Sequence, residues 1–315
     1  MALLQVRDLH VAYEIIAGRV QAVHGVSFSI KAGEAVGLVG ESGCGKSTLG
    51  LSLLRLLPKN GKIVSGEILF NGCNLLTITE AEMRRIRGKE ISIAFQGAMN
   101  ALNPVITVGK QIVDSILLQT DLTEAAARQR TEELFDSLGI GRSRINDYPH
   151  ELSGGMKQRI MIAMGLSCNP KLLIADEPVT ALDVMVQAQI LRLIAELIQK
   201  LDLAILLITH DLSVVAETCD RVVVMYGGKI LEISNVQESF LHPYTRLLFR
   251  AFPNIYGTRQ SIRGIPGAPP NLIDPPPGCH FAPRCPEANS ICSEVEPSLI
   301  EIASGHFVAC HRMHM

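Results

Sequence analysis

Tryptophan is absent from the chain, and Phe and Tyr bring the aromatic content to only 4%. An aromatic platform on which nucleic-acid bases could stack is therefore not expected. A surplus of charge is missing too: 29 Lys and Arg stand against 31 Asp and Glu, for a formal charge of −2. No basic field for a polyanion follows, and no nucleic-acid partner is expected. No apolar run approaches the ~18–20 residues that a membrane-spanning helix needs. The longest, such as LAILLI from Leu203, suit buried strands. A secretory leader is not expected either, because Arg7, Asp8 and His10 interrupt the N-terminal stretch MALLQVRDLH. The remainder is an ordinary globular composition, 47% hydrophobic and 19% charged over 315 residues, enough for a full core. Such a chain is expected to be soluble, or to sit on a membrane through a partner.

From Leu3 to about Phe70, β-branched and apolar runs alternate with turn residues and predict strands. Between about Glu80 and Leu166 the pattern is helical, with Asp121 or Thr123 placed to cap a helix that Gly139 ends. The run KLLIA predicts a buried strand, followed by a helix near 184–201 and a second strand, AILLITH. Strands alternating with helices imply a parallel sheet that binds ligands at its strands' carboxyl ends. After about Phe252 the character changes: IPGAPPNLIDPPPG holds six prolines in fourteen residues and excludes a helix or central strand. It reads as a stiff connector into a small cysteine-bearing tail.

The stretch GESGCGKST, residues 40–48, follows the apolar AVGLV and precedes a helix-like run. It fits G-x-x-x-x-G-K-[ST] and predicts a nucleoside triphosphate site over Gly40, Glu41, Ser42, Gly43, Cys44, Gly45, Lys46, Ser47 and Thr48. The glycines let backbone N–H groups turn toward phosphate oxygens at a helix N-terminus. Lys46 would reach the β- and γ-phosphates, and the Ser47 hydroxyl would bind Mg²⁺. Cys44 has two readings: a thiol activated by the lysine and the helix end, or an occupant of a tolerant loop position. In KLLIADEP, Asp176 and Glu177 end the buried strand where phosphates should sit. Asp176 would hold Mg²⁺, and Glu177 would orient and deprotonate the attacking water.

Between these stations lies ELSGGMKQR, whose Ser153, Gly154, Gly155, Met156 and Gln158 resemble the signature of ATP-binding-cassette (ABC) ATPases. The resemblance, which covers about residues 1–240, implies further roles. Tyr13 would stack on adenine. Gln96 would touch Mg²⁺ and the attacking water and link the site to the helical subdomain. Asp183 would lie in the loop crossing between subunits, or serve only as a helix cap. His210 would contact the γ-phosphate and support Glu177. Ser153 and its glycines would complete a partner's site, in a dimer that ATP closes and hydrolysis reopens.

The tail narrows the resemblance. LHPYTRLL and the stretch from Gly278 to His311 are similar to the C-terminal extension of oligopeptide/dipeptide/nickel importer ATPases, although Gly97-Ala98 stand where that family has Asp-Pro. The fold this implies is α/β: a P-loop NTPase core of ABC type, with an antiparallel β subdomain, a helical signature subdomain at about 91–166 and a Cys-rich extension. The nucleotide-binding domain would run over 1–254, and the Pro-rich connector and extension over 255–315. Cys279, Cys285, Cys292 and Cys310 are separated by five, six and seventeen residues. By resemblance they would bind a [4Fe–4S] cluster, with zinc or free or paired thiols as alternatives. His280, His306 and His311 are spare ligands or surface groups. The implied partners are two transmembrane permeases, a second and related ATPase, and an external solute-binding protein, at the cytoplasmic membrane face. The solute could be a peptide, nickel or an oligosaccharide. The rival reading is a soluble ABC ATPase of iron–sulfur assembly or similar work.

Overall fold

The computed structural model describes residues 2–95, 101–179, 182–250 and 264–313. In chain order the elements are β1 (Ala2–Ile15), β2 (Gly18–Lys31), β3 (Ala35–Val39), α1 (Lys46–Leu53), β4 (Gly61–Phe70), β5 (Cys73–Asn74), α2 (Glu80–Ile86), β6 (Ile91–Ala94), α3 (Val108–Gln119), α4 (Glu124–Ser137) and α5 (Gly154–Leu166). There follow β7 (Leu172–Asp176), α6 (Val184–Leu201), β8 (Ala204–Ile208), α7 (Leu212–Thr218), β9 (Arg221–Tyr226), β10 (Lys229–Asn235), α8 (Pro243–Arg250), α9 (Ser290–Glu294), β11 (Ile300–Ala303) and β12 (His306–Val308). The chain forms two compact units: Met1–Lys31 with Ala35–Thr77 and Ile208–Met315, and Ala32–Glu34 with Ile78–Leu207.

In the first unit β1 is flanked by antiparallel β2, paired from Ala2↔Lys31 to Ile15↔Gly18, and by β4, from Leu4↔Phe70 to Tyr13↔Gly61, with register shifts within both ladders. Leu4 and Val6, and beyond a register shift Leu9 and Val11, are buried and hold β1 against the core. Every residue of β3 is buried, and β3 runs parallel to β9, with Val36↔Arg221 through Val39↔Val224. Such a continuously apolar strand is that of a sheet covered on both faces. β9 and β10 form a hairpin through Gly227 and Gly228, at φ 55° and 81°. That pair of left-handed residues suits a tight hairpin turn.

The tail joins this unit: β12 pairs with β10, and β11 with β12. The tail also buries Phe281, Val308 and Ala309. Phe281 alone contributes about 1.5–3 kcal/mol by leaving water, and its ring meets Tyr226 edge-on at 5.3 Å. The domain boundary expected at 254/255 falls outside the described residues.

In the second unit β6 and β7 pair in parallel, Ile91↔Leu172 through Ala94↔Ala175. The stretch ISIA is a strand inside a segment whose pattern reads as helical, because four residues are too few to carry a distinguishing period. Thr123, not Asp121, caps α4, accepting the Ala126 N–H. α6 covers the predicted 184–201 and buries Ile190, Leu191, Ile194 and Leu197 on one face.

Candidate nucleotide site

β3 delivers the chain directly into the phosphate-binding loop. Gly40 has φ 152° and Gly45 φ 106°, and a Cβ at either would lie 2.1 Å from a backbone oxygen, of Met225 and Ala22 respectively. Only glycine fits these two approaches. The Gly228 N–H donates to the Cys44 carbonyl at 3.0 Å, so the β9–β10 hairpin braces the loop. Lys46, the first residue of α1, is buried; its Nζ donates to the Gly40 and Glu41 carbonyls at 2.7 and 2.9 Å. Ser42, Gly43 and Ser47 are exposed. The Tyr13 hydroxyl lies 3.2 Å from Thr48 Oγ1, which ties β1 to α1.

Cys44 is not the activated thiol that its lysine neighbour would make. It is buried, and burial pushes its pKa up, outweighing Lys46. The tolerant-position reading is the one its environment supports.

In the second unit, Asp176 ends β7 and is buried. Glu177 follows at φ 47°, a left-handed conformation for a non-glycine residue. Such strain persists where surrounding structure enforces it, typically at functional positions. Ser153 caps α5 by accepting the Met156 N–H, and Gly154 and Gly155 form the helix's first two residues. Gln158 is buried, and its Nε2 has no hydrogen-bond partner among the described residues. Asp183 caps α6, its Oδ1 accepting the Val186 N–H at 3.0 Å. His210, in the first unit, is exposed. Gln96 lies outside the described residues. The Ser47 hydroxyl and the Asp176 carboxylate are hard oxygen donors of the kind Mg²⁺ takes.

Cys279, Cys285, Cys292 and Cys310 line one cavity, beside His242 and Phe281. None is in a disulfide. Burial pushes the Cys279 thiol up to about 11 and raises Cys285 and Cys310, with neighbouring cysteines adding to each shift. Among the described residues no three or more His, Cys, Asp or Glu side chains are grouped so as to hold a metal ion. The nearby histidines are engaged elsewhere. His280 Nδ1 lies 2.7 Å from the Gly227 carbonyl and His311 Nε2 2.8 Å from that of Val295, while His306 sits between Glu232 at 2.8 Å and Glu238 at 3.1 Å.

Sequence reasoning missed the residues by which the tail reaches the loop. The Glu41 N–H donates to the Tyr244 hydroxyl at 3.0 Å, and Arg284 grips the Glu41 carboxylate. Tyr244 stands in the HPY triplet, whose physical content is now visible. Buried Glu232 accepts the N–H groups of Leu241 and His242, and His242 Nδ1 accepts that of Tyr244.

A glycine cradle on a parallel strand, a lysine at the following helix and a separate Ser-Gly-Gly helix start define a cassette-type ATPase. Residues 23–180 match the ABC transporter family, and residues 230–292 match the oligopeptide/dipeptide transporter C-terminal region. The chain is 50% identical to the probable peptide ABC transporter ATP-binding protein y4tR of Sinorhizobium fredii, over 98% of its length and 95% of that protein's. It is 46% identical to the oligopeptide transport protein OppD of Escherichia coli, over 99% and 93%, and 46% identical to the dipeptide transport protein DppD of Bacillus subtilis, over 98% and 93%. Among solved structures, the dimeric ADP- and Pi-bound cassette MJ0796 matches with a TM-score of 0.67 at 25% identity, over 75% of this chain and all of that one. cbiO1 of Clostridium perfringens, part of the cbiONQ complex, matches at 0.65 and 31%, over 75% and 89%. The chain belongs to the ABC transporter ATP-binding proteins, in the group with the oligopeptide/dipeptide C-terminal region. It is an ATPase coupled to transport, binding ATP and Mg²⁺.

Proposed function

We propose that this chain powers peptide import, as one of two ATPases on the cytoplasmic face of a pair of transmembrane permeases fed by an external solute-binding protein. The match of the C-terminal region carries this reading, together with near full-length similarity to peptide, oligopeptide and dipeptide transport proteins. No helix among the described residues is long and apolar enough to cross a membrane, so attachment would come from the permeases. The same matches disfavour a soluble role in iron–sulfur assembly.

In the mechanism, the Gly40–Thr48 loop wraps the triphosphate and Lys46 leaves its carbonyl partners for the β- and γ-phosphate oxygens. Tyr13 stacks on adenine. Ser47, Asp176 and Gln96 would hold Mg²⁺, which neutralises phosphate charge when bound. Glu177 takes the proton of the attacking water, and His210 holds that glutamate and the γ-phosphate. Ser153, Gly154, Gly155 and Gln158 complete the partner's nucleotide site, and Asp183 lies at the crossing loop. Glu177→Gln tests the assignment: turnover should fall by about 100-fold or more, while ATP binding survives and a closed dimer persists on size-exclusion chromatography. Unchanged turnover would remove Glu177 from the role of general base.

For the tail, the reading is a four-thiolate [4Fe–4S] site at Cys279, Cys285, Cys292 and Cys310. Four thiols lining one cavity supply its donor set. Zinc held by the same four sulfurs is the alternative occupant. Anaerobic purification followed by iron, sulfide and zinc analysis decides it: zinc without iron, or neither, would contradict the cluster.

A further inference from the structure

The phosphate-binding loop carries an acid. Glu41 follows the first loop glycine, and an uncompensated carboxylate there would repel a triphosphate. Its countercharge comes from 243 positions later, in the tail. Arg284 Nη1 donates to Glu41 Oε2 at 2.6 Å and Nη2 to Oε1 at 2.9 Å, a two-pronged pair. The other three N–H groups are also used: Nη1 to the Tyr226 hydroxyl at 3.1 Å, Nη2 to the Ile265 carbonyl at 3.1 Å and Nε to the Pro266 carbonyl at 2.8 Å. With all five donors satisfied and its side chain 5% exposed, the guanidinium is held in one orientation. A lysine has neither the fork nor the donors to reproduce it.

The same residue is fixed through its backbone. The Glu41 N–H is held by Tyr244, whose ring packs 4.6 Å from Tyr226 and 5.2 Å from Phe281. The Glu41 carbonyl is one of the two oxygens on which the Lys46 ammonium rests. A shift of Glu41 would therefore move the lysine's seat as well as unmask a negative charge.

We propose that Arg284 is a positioning residue for nucleotide binding, which neutralises and fixes Glu41 so that the phosphate-binding loop accepts ATP. The C-terminal extension thereby becomes part of the nucleotide site of its own chain. The inference rests on the reading that this loop holds ATP, so Lys46→Ala serves as its control.

ATP affinity of the full chain, measured by titration calorimetry, provides the test. Arg284→Ala should weaken binding about tenfold, which corresponds to ~1.4 kcal/mol, and the deficit should shrink as salt screens the exposed carboxylate. Adding Glu41→Gln to Arg284→Ala should restore most of the affinity, since the repelling charge is gone. A purely structural role for Arg284 gives no such rescue. Arg284→Lys, which keeps the charge and guards against a folding defect in the alanine variant, should fall between the two. Wild-type affinity in Arg284→Ala, or no rescue by Glu41→Gln, would overturn the proposal, provided Lys46→Ala loses ATP. Should Lys46→Ala bind normally, it is the loop assignment itself that fails.

Discussion

Cys44 lies 3.8 Å from the Lys46 ammonium, a neighbour that favours thiolate, yet its pKa rises because burial removes the thiolate's hydration. Cys219 is pushed up to about 12 for the same reason, whereas Cys73 is exposed. Alkylation of the folded chain near neutral pH should therefore label Cys73 first and leave Cys44 and Cys219 unmodified until the chain unfolds, as peptide mass mapping would show. Early labelling of Cys44 would restore the activated-thiol reading. The outcome at Cys44 was not legible in the sequence, where its neighbours are visible and its burial is not. Arg284 was hidden for another reason: its partner is 243 positions away, and no short spacing announces the pair. The loop glycines were legible because their chemistry is local, set by spacing within nine residues and an apolar strand before them.

Among the elements, α6 begins at a residue with two possible jobs. Asp183 caps the helix, and in the proposed dimer it also faces the partner. Two substitutions separate these. Asp183→Ala should cost about 1 kcal/mol of stability through the lost cap, seen as a lower unfolding midpoint in urea. Asp183→Ser keeps a capping oxygen and should restore that stability while still lowering ATPase activity. Full activity in the serine variant would leave Asp183 as a cap alone. The start of α1 gives a sharper outcome. Gly45→Ala should abolish ATP binding, because the new methyl would fall 2.1 Å from the Ala22 carbonyl at a backbone φ of 106°; calorimetric titration checks it. Helices with a long amphipathic face, such as α6, were readable from the sequence. β6 was not, since four residues are too few to show a period.

On the scale of the whole molecule, the extension shares the core of the first unit. Glu232, fully buried on β10, accepts backbone N–H groups of Leu241 and His242 and pairs with His306 of β12. Leaving a buried backbone N–H without its acceptor costs about 1–3 kcal/mol, so Glu232→Ala, which strands those of Leu241 and His242, should lower the unfolding midpoint of the full chain. That loss would travel to the tail and, through Tyr244 and Arg284, to Glu41. The four cysteines clustering in space could not be read from gaps of five, six and seventeen residues; their family resemblance pointed there instead. The central claim, that ATP turnover in this chain moves peptide across a membrane, is tested most directly in proteoliposomes holding the chain with its permeases, partner ATPase and binding protein. Accumulation of a labelled peptide should require ATP and should stop with Lys46→Ala or Ser153→Arg in this chain. Uptake at the unmodified rate in both variants would contradict the account.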